Sequence, residues 1–256
     1  MTILCYHAFD PDWRSPLAVE PDAFAAHCAW LERARRVIPL AGAVEQIARS
    51  GRLPRGLTAL TFDDGFESVY HHAFLAIAKH RLPATVFVVA RTLAPEGLPV
   101  NWLDTPPPVP PRTLTLEQIL EMQGAGVEFG SHSSVHHDLT ALSEEDCERD
   151  LRDSRELLED LLHHPVRFLA YPRGQSDERV RRSALRAGFA NAFTLPETRE
   201  PRGPFAIPRV GVYRGNGVRE LRIKSSPLYL PVRTSSLFPM VRRALGRHPN
   251  PAGPPG

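Results

Sequence analysis

The sequence predicts an α/β fold, an irregular (β/α)7-type barrel in a single domain. Three observations carry that expectation. Seven apolar, β-prone runs, at 2–8, 57–62, 84–90, 126–130, 166–171, 189–195 and 206–212, are separated mostly by stretches with helical spacing. Such alternation calls for a parallel sheet, and the number of strands suggests closure. The polar residues suited to chemistry, His7, Asp63, Asp64, His132 and the Tyr171–Arg173 turn, stand where those runs stop, and that end of a parallel barrel is where sites form. A chain of 256 residues is also long enough for one large barrel with a full core.

Each element has its own signal. The first strand ends at Tyr6-His7. Pro21 then opens a helix with Phe24, Cys28 and Leu31 on one face. A second helix covers Ala41 to Arg49 and closes at Gly51. The strand at 57–62 runs into Asp63-Asp64-Gly65, and a helix follows over 68–80 with Tyr70, Phe74 and Ile77 on one face. After the valine-rich strand at 84–90 comes an insertion, 91–112, in which Pro106-Pro107-Pro108 and Pro110-Pro111 forbid helix or strand interior. It is expected to be a surface loop over one end of the barrel, with Trp102 in it. Thr115 and Gln118 form a capping box for a helix ending near Gly124. Ser143 begins the longest helix, to about Leu162, with Cys147, Leu151, Leu158 and Leu161 inward, and Asp177 caps a helix that closes at Gly188. The barrel is thus expected over 1–225, a terminal helix or amphipathic extension over 226–247, and a disordered tail over 248–256.

Composition narrows the class. Lys plus Arg is 31 and Asp plus Glu is 29, so no global field argues for nucleic acid or a membrane surface. The three cysteines, Cys5, Cys28 and Cys147, are scattered and form no CxxC pair. They are expected to be buried, reduced thiols. The N-terminus has no basic segment followed by a long apolar one, and no run of about 18 apolar residues occurs, so neither a signal peptide nor a transmembrane helix is expected and a cytoplasmic setting is.

The chemistry centres on two stretches. Two adjacent carboxylates at the end of a buried strand resist joint ionisation. A bound cation removes the cost for one and leaves the other free as a base. Alone, Asp63-Asp64-Gly65 also fits a solvated turn. Alone, His132-x-x-x-His136 also fits two surface histidines. Together, in this order and each after a predicted strand, Thr61-Phe62-Asp63-Asp64-Gly65 and His132-Ser133-Ser134-Val135-His136 resemble the motifs of the polysaccharide deacetylase family with the NodB homology domain, carbohydrate esterase family four. The resemblance covers about residues 1–225.

That resemblance implies a metal-dependent deacetylase acting on an N-acetylated amino sugar in a polymer, an oligosaccharide or a glycan precursor. The metal ligands it implies are Asp64, His132 and His136, with His137 the alternate to His136. One divalent ion is implied. Zinc suits two imidazoles and a carboxylate, and nickel, cobalt and manganese are also compatible. Asp63 becomes the base, and the backbone N–H of Arg173 a donor to the oxyanion. A late-motif histidine is the usual acid in the family. Here the only histidine after His164 is His248, whereas Tyr6-His7 stands at the start, which resembles the circularly permuted branch and gives the acid role to His7. The family's arginine before the turn is replaced by Ala170, so Arg209 is the candidate to orient Asp63 and Arg167 a weaker one. Tyr171, Arg173 and Trp102 are expected to bind substrate. Two rival readings remain: an esterase or other linear-amide hydrolase on the same site, and a catalytically silent sugar-binding relative.

Overall fold

A computed structural model describes residues 2–51, 56–236 and 238. The strands that form the frame are β1 (Thr2–Tyr6), β2 (Leu57–Phe62), β3 (Ala84–Val88), β4 (Glu128–Ser131), β5 (Phe168–Ala170), β6 (Asn191–Thr194), β7 (Ile207–Pro208) and β8 (Val210–Gly211). All pair in parallel, in the order β7-β6-β5-β4-β3-β2-β1-β8, and Arg36–Val37 adds a short parallel segment at the start of β2. The expected single strand at 206–212 is therefore two. Its first half pairs with β6 and its second with β1, so the sheet closes on itself through the one residue between them, Arg209. A strand that must serve two twisted edges cannot lie flat along both, and the break falls where the chain passes from one to the other.

The helices are α1 (Pro21–Ala34), α2 (Leu40–Ser50), α3 (Leu75–Lys79), α4 (Leu116–Gly124), α5 (Glu144–Leu162), α6 (Glu178–Arg186), α7 (Val218–Lys224) and α8 (Tyr229–Arg233). Their starts are those the caps specify: Thr115 and Gln118 form the reciprocal box, Ser143 accepts from Asp146 N–H, and Asp177 from Val180 N–H. The expected helix over 68–80 differs. It opens as a π-helical stretch, Val69–Phe74, before α3, and its buried positions are Val69, Ala73 and Ile77 rather than Tyr70 and Phe74. In α5 the buried leucine near the end is Leu162, not Leu161.

Alternation along the strands sorts the core into two. Leu4, Tyr6, Leu60, Phe62, Val86 and Val88 pack outward against the helices, where Phe9, Phe24 and Phe62 form an aromatic group around Tyr6. Ile3, Ala59, Phe87, Phe193 and Ile207 pack together separately, as inward-facing positions of a small barrel do. Cys5, Thr61 and Arg209 continue this inward set towards the strand ends.

The first strand stops at Tyr6, two residues before its expected end. Ala8–Phe9 pairs instead with Ala18–Val19, and His7 lies at the junction. The insertion begins with one turn of 3-10 helix, Ala90–Leu93, and is otherwise irregular. Trp13 Nε1–H donates to the Thr105 carbonyl and ties it to the barrel. Of the expected extension, α8 is described. The part from 239 onward and the tail at 248–256 lie outside the described residues. Among the described residues no helix is long and apolar enough to cross a membrane.

Candidate active site

The site starts from the end of β2. Asp63 continues the ladder, its N–H donating to Tyr6 O at 2.9 Å. Asp64 then turns into the left-handed region, φ 68°, and Gly65 follows at φ 62°. A non-glycine residue there is uncommon and stored strain of this kind gathers at functional sites. The turn sends the two carboxylates to different partners. Gly65 is also held by space, since a Cβ on it would stand 2.8 Å from Val88 Cγ1.

Asp63 is buried and fully engaged. Arg209 donates to both its oxygens, Nη1 to Oδ1 at 2.6 Å and Nη2 to Oδ2 at 2.7 Å, and Nη1 also reaches Thr61 Oγ1 at 3.2 Å. The guanidinium is itself buried, 1 % exposed, and lies over the Phe87 ring. Burial alone would push the Asp63 carboxyl up, but the Arg209 charge outweighs it and holds the acid well below the usual carboxylate range. Cys5 Sγ stands 3.3 Å from Asp63 Oδ2. His7 completes this side, its buried Nδ1 without a hydrogen-bond partner.

Asp64 faces imidazoles instead. Its Oδ1 is 3.3 Å from His136 Nε2 and 3.6 Å from His132 Nε2. His132 follows β4, its N–H bonded to Val88 O, and its Nδ1–H donates to the Ala170 carbonyl at 2.8 Å. The loop beyond it is wired by serines: Ser133 N–H to Ser131 Oγ, His136 N–H to Ser133 Oγ, and Ser131 Oγ against Ser154 Oγ on α5. Asp150, also on α5, accepts from Ser134 N–H. These bonds hold Ser133 and His136 at positive φ, 67° and 60°.

The donor set fits a cation. Burial pushes the His132 imidazole down to about 4, so at neutral pH the ring is uncharged. Its one proton is committed to Ala170 O, leaving the bare Nε2 lone pair aimed at a carboxylate oxygen. Two acceptors facing each other need a positive charge between them. A backbone carbonyl fixing the far nitrogen is the usual support of a metal-ligating histidine, and Asp64, His132 and His136 offer ligand atoms all within 4.8 Å of one another.

The other expected residues separate. Trp102 reaches the site from the insertion: its Nε1–H donates to Asp64 Oδ1 at 3.1 Å and its ring stacks on His136 at 5.0 Å. Arg173, at φ 57° in the turn after β5, pairs with Asp104 of the same insertion. Tyr171 corrects the expectation of substrate contact. It is fully buried and its hydroxyl donates to the Phe205 carbonyl, so it has no group to offer a sugar. His137 and Arg167 are exposed and belong to neither cluster. A cavity of about 290 Å³, lined among others by Thr194, Arg199 and Leu230, shares no residue with the site.

Sequence reasoning missed Cys5 and the wiring of Ser131, Ser133 and Asp150. The signal for Cys5 was its place two residues before His7, which puts both on one side of an extended chain.

The polysaccharide deacetylase family model matches residues 50–192. The Bacillus subtilis protein YxkH, named as a polysaccharide deacetylase, is 24% identical over 218 residues, 84% of this chain and 72% of its own length. The poly-β-1,6-N-acetyl-D-glucosamine N-deacetylase of Staphylococcus aureus is 25% identical over 158 residues. That match covers 58% of this chain and spans about half, 51%, of the relative. In three dimensions the chain resembles the Streptococcus pyogenes deacetylase PplD, solved with acetate, with a TM-score of 0.74 at 23% identity over 89% of this chain and 98% of that one. With the matched residues spanning more than half its length, the chain belongs to the polysaccharide deacetylase family.

Proposed function

We propose that the chain is a divalent-metal-dependent deacetylase that hydrolyses the N-acetyl group of an amino sugar within a glycan and releases acetate. The observation that carries this reading is the division of labour between two adjacent buried acids, one locked to Arg209 and the other set against two imidazoles. Asp64, His132 and His136 would hold the ion, and zinc suits them best. Bound there, a divalent ion would acidify a water and polarise the acetamide carbonyl.

The chain's own residues supply the rest. Asp63, kept ionised and fixed by Arg209, accepts the proton of the attacking water. A base held this weak takes a proton only from an acidic donor, so base and cation site belong together. The Arg173 N–H stands in the turn at the strand ends and serves the developing oxyanion. His7 gives a proton to the leaving amine as the carbon–nitrogen bond breaks. Trp102 walls the cleft beside His136 and offers a ring to the sugar. The name of the Staphylococcus aureus relative favours β-linked N-acetylglucosamine as the substrate class.

Acetate release from N-acetylated and O-acetylated glycans, before and after chelation, tests the reading. Release from the amide, lost on chelation and restored by zinc, is expected. Release only from the ester, or none from either, would overturn it.

A further inference from the structure

Beside the proposed ion site lies a second group of ligand atoms. Cys5 Sγ, a ring nitrogen of His7 and a carboxylate oxygen of Asp63 fall within 4.8 Å of one another. Cys5 is fully buried, Asp63 is 1 % exposed and His7 9 %. His7 Nδ1 is buried with no hydrogen-bond partner, an orphan that folding rarely tolerates without a use. We propose that Cys5, His7 and Asp63 form a second, thiolate-containing site for a soft divalent cation of the zinc or cadmium type, and that its occupation switches the enzyme off.

The geometry suits such an ion. Cys5 and His7 alternate along the chain at the end of β1, and Thr61 pairs in register with Cys5, which places Asp63 level with His7 on the neighbouring strand. Tetrahedral zinc with its usual bond lengths sets sulfur and oxygen ligands roughly 3.5 Å apart, and Cys5 Sγ and Asp63 Oδ2 are 3.3 Å apart. Arg209 takes one acceptor position on each Asp63 oxygen, and a carboxylate has about four, so coordination does not require the ion pair to break. Charge is offset in part. Arg209 already neutralises Asp63, and when the sulfur–metal bond forms the Cys5 thiol releases its proton to solvent, so the thiolate cancels one of the ion's two positive charges. A sulfur, nitrogen and oxygen set favours zinc or cadmium over magnesium or manganese. His7, the most exposed of the three, marks the side of entry.

Binding stands on the geometry alone, whereas inhibition rests on the roles proposed above, because the second ion would take the groups assigned as base and acid. Activity is then expected to rise with the first equivalent of zinc and fall with excess.

The experiment is a cadmium titration of the metal-stripped full chain, read by metal per chain after dialysis and by the ultraviolet thiolate-to-cadmium charge-transfer band. Two ions are expected, with the band growing only with the second. Cys5→Ser should bind one and show no band. His7→Ala, which reads the site should Cys5→Ser fail to fold, should weaken the second ion at least tenfold and leave the first unchanged. No thiolate band in the unaltered chain, or a band that persists in Cys5→Ser, overturns the site. None of these readings depends on turnover, so loss of the deacetylase reading would leave them interpretable. Two ions bound with no fall in activity at excess zinc would overturn the inhibitory role.

Discussion

Asp63 and Asp64 are neighbours in sequence, equally buried and at the end of the same strand, yet their surroundings are opposite. Asp63 meets a cation built into the protein, with both oxygens on Arg209. Asp64 meets two imidazole nitrogens and an indole N–H, none of which carries a fixed charge. A buried carboxylate needs compensation. One half of the site supplies it permanently, which suits the proposed base, and the other leaves it to be supplied, which suits the proposed ligand. A single left-handed residue, Asp64, separates the two roles.

The largest expected effect breaks the Asp63 half. Asp63→Asn should keep the ion while lowering the catalytic rate constant by about 10²–10⁴-fold, the usual worth of a positioned base; near-normal turnover at one equivalent of zinc would mean another base. Arg209→Met removes the built-in cation and strands a buried acid. Breaking such a pair costs about 3–5 kcal/mol, measurable by denaturant unfolding, and the same change at an exposed arginine should not approach it.

A pH series sharpens the contrast. Burial pushes His132 down to about 4, against about 6.5 in an unfolded chain. Between those values the unfolded chain binds the proton and the folded one does not. The metal-free protein should therefore lose stability as the pH falls from about 6.5 to about 4, by about 3 kcal/mol at most. Asp63 is depressed from a lower starting point, so its contribution is present above about 3.9 and is lost only below it. The two halves should thus unload in separate windows, and His132→Asn should shrink the upper one, leaving the share of His27, which burial also holds low. The smallest effect is at the rim. Arg173→Ala breaks an exposed pair with Asp104 and should change stability by no more than about 1 kcal/mol.

How much of this could be read from the sequence follows from how local each feature is. Asp63, Asp64, His132 and His136 were legible because each sits in a short motif at the end of an apolar run. Arg209 was legible from its position in the last strand, although the break of that strand around it depends on two edges distant in sequence. Tyr171 was misread because a residue at a strand end can face the cleft or the wall, and only the Phe205 carbonyl decides which. The Trp102 contact and the place of Cys5 beside Asp63 were hidden for the same reason: each depends on a partner brought up by another strand or loop. The π-helical opening of the helix after β2 reflects packing of Val69, Ala73 and Ile77 that helical spacing alone does not reveal.

The most direct test is metal content at one equivalent of zinc, measured side by side on Asp63→Asn and Asp64→Asn. One ion kept by the first and lost by the second is the predicted result. Equal retention in both, or loss from Asp63→Asn alone, would contradict the assignment of ligand and base to these two acids.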